Sequence, residues 1–389
     1  MLDLVIGVVG ATGAVGQTAL DILGDAFPGF RVAQLRAFAS RSSVGKRVAF
    51  GAGHVAVEET RFEALLECDA VLFATEAAIS REFIPRLAEA GVLCVDKSSA
   101  YRDDPSVPLV VPEVNGAALL PDALGAFPVV ANPNCCATPL AVALAPLAEA
   151  YGLERVIVST YQSVSGTGKQ GIDVLNEETR AFLRSEDLSC HPSSVYPKSI
   201  AFNVMPFVAK ILPSGDTDEE AKIVQETRKL LGLPGLPVSA TSVRVPTFVG
   251  HAEAVTVELS RDTSLADVRA LLARAPGVVL VDEFAGDAVS GAADAERARA
   301  GATSDHDHND DDDEGTDEPT LFPTPRDVHG KDAVYVGRVR KAEVFRNGFA
   351  LWIAADNLRK GAALNAIQII DACSRNGTLG ALRSRRGRS

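Results

Sequence analysis

The chain has 389 residues, of which 47% are hydrophobic and 23% charged, with a formal net charge of −13. This length is expected to hold two domains with a sizeable core. Residues 305–318, "DHDHNDDDDEGTDE", carry nine acids and no Lys or Arg; setting them aside brings −13 to −4, a balance that excludes a general nucleic-acid surface.

The N-terminus, "MLDLVIGVVG", has no basic run ahead of its apolar residues, so no secretory signal is expected. Short β-rich runs follow: "LVIGVV", "VAQLRAFA", "AVLFAT", "VLCVDKS" and "LVVPEV". Between them "AVGQTALDILGD" and "SREFIPRLAEAG" place apolar residues at helical spacing. Strand, helix, strand in this order predicts an α/β fold with a doubly wound parallel sheet over residues 1–131. After residue 131 the texture changes to α+β. "RVIVSTYQSVSG" and "AEAVTVELS" read as strands, and "DEEAKIVQETRKLLG" reads as a helix. Residues 285–320 are rich in Ala, Gly and Asp without apolar periodicity, and are expected to form a disordered insertion. His306 and His308 lie in it, where nothing fixes a coordination geometry, so no metal site is expected. "AVYVGRVRK" resumes a strand, residues 356–375 form a helix stopped by Gly377, and 376–389 form a basic tail expected to fray. No apolar run reaches membrane length, and no membrane partner is expected. The six cysteines show no CxxC spacing, which fits a reducing, cytoplasmic setting.

Two segments carry chemistry. "VIGVVGATGAVGQTAL" is a strand, a glycine-rich turn and a helix start, in which Gly10 and Gly13 allow backbone to approach an anion at the helix N-terminus. The GxxGxxG spacing is also compatible with glycines that serve packing alone. The second strand ends in "SRSSVGKR", with Arg41, Lys46 and Arg47 and no acid, which suits the 2′-phosphate of NADP. The other segment is "ANPNCCATPLAVALAPL". Cys135 precedes a helix whose N-terminus would stabilise a thiolate. Buried cysteine is nevertheless the commoner fate, and local context leaves both Cys135 and Cys136 open as nucleophile or core residue.

"GATGAVG", "SSAYR", "ANPNC", "TYQSVSGTG", "DEEAKIVQETRK", "RVPTFVGH" and "LWIAADNLRKGAALNAIQI" occur in this order. Together they resemble the aspartate-β-semialdehyde dehydrogenases, NADP-dependent phosphorylating enzymes of amino-acid biosynthesis. The resemblance runs from about residue 4 to 373. It implies a Rossmann-type domain (1–131), a catalytic and dimerisation domain of the glyceraldehyde-3-phosphate dehydrogenase type (132–355), and a helix (356–375) returning to the first. It further implies a homodimer, with a tetramer as the alternative, acting on a small-molecule substrate and inorganic phosphate. By the same resemblance Cys135 is the nucleophile after Asn134, Gln162 orients the acyl group and His251 is the acid/base. Arg244 grips the substrate carboxylate, Arg102 and Lys222 hold phosphate, and Glu219 faces the substrate amine. Gly10, Thr12, Gly13, Ala14, Val15, Arg41, Ser42, Ser165, Gly166 and Asn357 match cofactor contacts.

The chain departs from that pattern at Lys97, where the family commonly has Asn, at Ala252, where Ser is common, at Cys136, where Ser or Thr is frequent, and in its acidic insertion. Glu219 and Lys222 also satisfy the spacing of a plain helical ion pair. Two other readings stay open: an N-acetyl-γ-glutamyl-phosphate reductase, which shares the glycine loop and the Cys/His logic, and an inactive NADP-binding paralogue.

Overall fold

The computed structural model describes residues 1–125, 127–186, 188, 195–281 and 322–387. The insertion expected at 285–320, with His306 and His308, lies outside the described residues, as do Cys190 and His191.

Seven strands form the first sheet: β1 (Leu2–Val9), β2 (Phe30–Ala39), β3 (Arg47–Phe50), β4 (Gly53–Glu59), β5 (Ala70–Phe73), β6 (Leu93–Asp96) and β7 (Val129–Ala131). Their order is β3-β4-β2-β1-β5-β6-β7. The run β4-β2-β1-β5-β6-β7 is parallel, so the carboxyl ends of its strands share one edge. The strand order reverses at β1, and the crevice there is where such sheets bind ligands. Strands buried on both faces need apolar residues at every position, as in "AVLF" of β5. Helix α1 (Ala14–Leu23) follows β1, and α2 (Ala77–Glu89) follows β5.

"LVVPEV" does not form the expected strand. Leu109 makes only an isolated bridge to Ala131, and Pro112, which has no N–H for a ladder, opens a helical turn over Pro112–Asn115.

The second sheet is mixed, in the order β11-β12-β13-β10-β8-β9. It comprises β8 (Leu153–Gln162), β9 (Val238–Arg244), β10 (His251–Leu259), β11 (Val278–Val281), β12 (Val334–Lys341) and β13 (Gly348–Ala355). Helices α3 (Ala137–Tyr151), α5 (Asp218–Leu231) and α6 (Leu265–Leu272) pack on it, while α4 (Lys169–Leu183) follows β8. A capping box fixes the start of α5: Thr217 accepts from Glu220 N–H, and Glu220 accepts from Thr217 N–H.

After β13 the chain makes a π-turn (Arg359–Ala363) and then α7 (Leu364–Arg375), which packs against the first sheet. Asp371 accepts the Gly29 N–H at 2.7 Å. The basic tail expected to fray is instead helical as α8 (Thr378–Arg385). Its arginines have acceptors: Arg383 donates to Asp3 O, and Arg386 to Cys68 O and Leu66 O, while Leu379 and Leu382 are buried. No described helix is long and apolar enough to cross a membrane.

Candidate active site

Parallel topology gathers the site along one edge. Gly10 leaves β1 at φ +83°, and a Cβ there would stand 2.3 Å from Ala74 O. Gly16, not singled out from the sequence, is held as tightly, since its Cβ would stand 2.1 Å from Gly10 O. Gly13 begins α1 without a side-chain cap, and the first turn has no acid. Thr12, Ala14 and Val15 are partly exposed beside it, so unpaired N–H groups face outward where an anion is favoured. Arg41 and Ser42 form a short 3-10 turn directly after β2 and are exposed at the same edge. These residues fit a dinucleotide phosphate and a ribose 2′-phosphate.

Further along that edge, β7 delivers Asn132–Cys135. Asn134 Oδ1 accepts from Cys136 N–H (2.8 Å) and Ala137 N–H (3.3 Å), capping α3 from outside. This cap turns adjacent cysteines to different environments. Cys136 is fully buried in the core, and Cys135 is partly exposed to a cavity of about 350 Å³. The sulfurs of both and a ring nitrogen of His251 lie within 4.8 Å of one another. The Cys136 thiol donating toward Cys135, then the His251 ring and the Lys97 ammonium, hold the Cys135 thiol well below its ordinary range, against the opposing effect of burial. Cys136 moves well above that range through burial and the adjacent sulfur. Burial alone pushes the Cys373 thiol up to about 12. The two adjacent cysteines thus stand apart: Cys135 borders the cavity and Cys136 lies in the core.

His251 opens β10 and is buried. Its Nδ1 accepts the Ser163 N–H at 3.1 Å, which places the proton of the neutral ring on Nε2. Nε2 has no hydrogen-bond partner among the described residues. Asn357 holds the loop that positions this ring: its Oδ1 accepts from Ser163 and Ser165 hydroxyls and from Gly250 N–H. Asn357 is itself buried and acts on the loop, whereas Ser165 and Gly166 form the 3-10 turn beside the ring.

The cavity is lined by Lys97, Arg102, Asn134, Cys135, Gln162, Gly166, Glu219, Lys222 and Arg244, and reaches Thr75 after β5. Glu219 accepts from Asn134 Nδ2 (2.9 Å) and Gln162 Nε2 (3.2 Å). Arg244 donates through Nη1 to Ser163 O. Lys222 pairs with Asp218 at 2.6 Å, not with Glu219. Arg102 pairs with Glu226 at 3.1 Å, and Glu226 also accepts the Asn134 N–H. Burial pushes the Glu226 carboxyl up, while Arg102 and the Asn134 N–H pull it down. Glu226 was not singled out from the sequence, although it lies seven residues after Glu219 on the same face of α5. Glu253 was also missed: it is buried, neither oxygen has a partner among the described residues, and burial and the Cys135 thiolate push it well up.

A depressed thiol beside an imidazole, at the carboxyl edge of a nucleotide-binding sheet and inside a cation-lined cavity, defines a thiol-dependent, nicotinamide-linked dehydrogenase. The family model for the semialdehyde dehydrogenase NAD binding domain matches residues 5–120, and that for the semialdehyde dehydrogenase dimerisation domain matches 144–301 and 316–360. The chain is 36% identical over 381 residues to aspartate-semialdehyde dehydrogenase of Aquifex aeolicus, covering 96% of this chain and 99% of that one. It is 37% identical to the Bacillus subtilis enzyme of that name, covering 94% and 96%. A crystal structure of aspartate semialdehyde dehydrogenase II complexed with ASA from Vibrio cholerae superposes with TM-score 0.82 at 36% identity, covering 96% and 99%. The chain belongs to the aspartate-semialdehyde dehydrogenase family.

Proposed function

We propose that the chain carries out the NADPH-dependent reduction of L-aspartyl-4-phosphate to L-aspartate 4-semialdehyde through a thioacyl group on Cys135, reversibly, in aspartate-family amino-acid biosynthesis. The observation that carries this reading is the depressed Cys135 thiol in a cavity lined by Arg102, Arg244, Lys222 and Glu219. The Cys135 thiolate attacks the acyl carbon, the bond from that carbon to the phosphate oxygen breaks, and inorganic phosphate leaves. NADPH, when bound, supplies the hydride for the thioester carbon. Collapse of the resulting tetrahedral centre returns the electron pair to sulfur and frees the aldehyde. The His251 ring lies within 4.8 Å of the Cys135 sulfur, and its Nε2 proton would stabilise the negative charge that forms there. Gln162, held by Thr160 and Glu219, orients the acyl group.

Arg244 takes the α-carboxylate, since a guanidinium fork suits it and only Nη1 is engaged among the described residues. Glu219 faces the amine, and Arg102 and Lys222 flank the phosphate. The glycine loop at Gly10–Val15 takes the pyrophosphate, and Arg41 with Ser42 takes the 2′-phosphate. Gly166 would border the nicotinamide, with Ser165 and the buried Asn357 holding its turn in place. Two sheets and the returning α7 support the division into residues 1–131, 132–355 and 356–375. The matched dimerisation domain supports an oligomer, which we take as a homodimer in the cytoplasm. A spectrophotometric assay with aspartate semialdehyde, phosphate and NADP tests the reading: phosphate-dependent NADPH formation is expected. Activity only toward an N-acetylated γ-semialdehyde, or cofactor binding without turnover, overturns it.

A further inference from the structure

We propose that Lys97 is a phosphate-binding residue of this chain. The inference rests on the proposed function above and names a group to which nothing in that reading gives a role. Lys97 stands one residue beyond the carboxyl end of β6, with its N–H still on the ladder to Phe73 O, so its side chain leaves the sheet at the crevice. It lines the same cavity as Cys135.

The charges around it explain why it matters. Arg102 is committed to Glu226, and Lys222 to Asp218. Each of these cations arrives at the cavity with an anion already beside it. The Lys97 ammonium has no hydrogen bond or ion pair among the described residues. Burial pushes its pKa down; against this Cys135, Glu219 and Asp96 favour the charged form, while Arg102 adds to the opposition. Asp96 is occupied by the Ser80 hydroxyl and by the N–H and hydroxyl of Ser98. Glu219 is occupied by Asn134 and Gln162. What remains is an ammonium beside a thiolate, with a second cation, Arg102, at its flank. Two like charges facing one cavity attract a dianion, and phosphate can accept from both.

In the aldehyde-oxidising direction a phosphate oxygen attacks the thioester carbon, the C–S bond breaks, and its electron pair returns to Cys135. Lys97 serves both ends of that step: it holds the incoming phosphate and then faces the sulfur that leaves as thiolate. An amide at this position would offer a hydrogen bond without the charge.

Lys97→Asn and Lys97→Arg, measured with aspartate semialdehyde, NADP and inorganic phosphate, test the proposal. Loss of one charge-assisted contact predicts a rise of about 10- to 100-fold in the phosphate KM of Lys97→Asn. The KM values for semialdehyde and NADP should stay within about two-fold, a small fraction of that effect. Inactivation by iodoacetamide at neutral pH should slow, because less of Cys135 is ionised. Lys97→Arg should restore most of the phosphate KM. An unchanged phosphate KM in Lys97→Asn, or equal rises in all three KM values, overturns the proposal. So does a Lys97→Arg variant as impaired as Lys97→Asn. Failure of the unaltered enzyme to show phosphate-dependent turnover would instead overturn the proposed function, so the two failures are distinguishable.

Discussion

The Arg102–Glu226 pair offers the sharpest test of how the site is built. The side chains are 9% and 2% exposed, and Glu226 also accepts the Asn134 N–H immediately before the reactive sulfur. Arg102→Met keeps much of the apolar stem and removes the charge. It leaves Glu226 buried without its cation, a loss of about 3–5 kcal/mol for a broken buried pair. Glu226 escapes part of this cost by taking a proton, toward which burial already pushes it, so the lower end of the range is expected. That escape fixes the sign with pH: with its folded pKa raised, Glu226 is tolerated in the variant at mildly acidic pH. The stability deficit then grows as pH rises through that folded pKa. In thermal unfolding the change is a fall of roughly 4–6 °C in Tm. The double variant Arg102→Met/Glu226→Gln removes the stranded charge yet keeps an acceptor for Asn134 N–H. It should regain stability to within about 1 kcal/mol of the unaltered chain, because the two sites are coupled. Its phosphate KM should stay raised, because the cation is still absent. A double variant no more stable than Arg102→Met, or a single variant with unchanged Tm, would refute this account of the pair.

Cys135→Ala should abolish phosphate-dependent NADP reduction while NADPH binding, followed by fluorescence, is retained. Because the Cys135 thiol is depressed, its alkylation should stay rapid as pH falls below the ordinary thiol range; a rate that drops in step with a free thiol would contradict the depressed sulfur. Glu253→Gln should remove a loss of stability at rising pH: a carboxyl pushed up by burial is harmless while protonated and destabilises as pH rises through its folded pKa, so Tm curves for the two forms should coincide at low pH and diverge as pH rises. Gly10→Ala should weaken NADP binding and lower Tm, since its φ of +83° and the 2.3 Å approach to Ala74 O leave no place for a methyl group; an unaltered Kd would show that the loop tolerates a shift.

The parallel sheet and its glycine turn were legible because both depend on local rules: apolar strands separated by helical periodicity, and glycine where a strand enters a helix. "LVVPEV" misled because its composition suits a strand, while Pro112 denies it the ladder. The basic tail misled for the opposite reason, its charges finding carbonyls that only the folded first sheet presents. At the site, the sequence left Cys135 and Cys136 undecided, and the choice is made by Asn134 turning inward as a cap. Glu226 follows from the spacing of α5, two turns beyond Glu219 on the same face. Ser163 and Asn357 are different. They are 194 residues apart in sequence, and no local rule joins them. Lys97 stood out only as a departure, since its free ammonium becomes visible once the partners of Arg102 and Lys222 are known.

The segment leaving β13 reaches both the sulfur and the loop behind the imidazole. Asn357 fixes the loop carrying His251's partner, and Gly361 lies against the backbone of Cys135, where a Cβ would stand 3.0 Å from the cysteine Cβ. A few residues later the chain closes on Gly29 across 342 positions. The first sheet therefore depends on a distant part of the sequence: the stretch after β13 supplies one face of its core, the wall behind the sulfur and the brace for the imidazole.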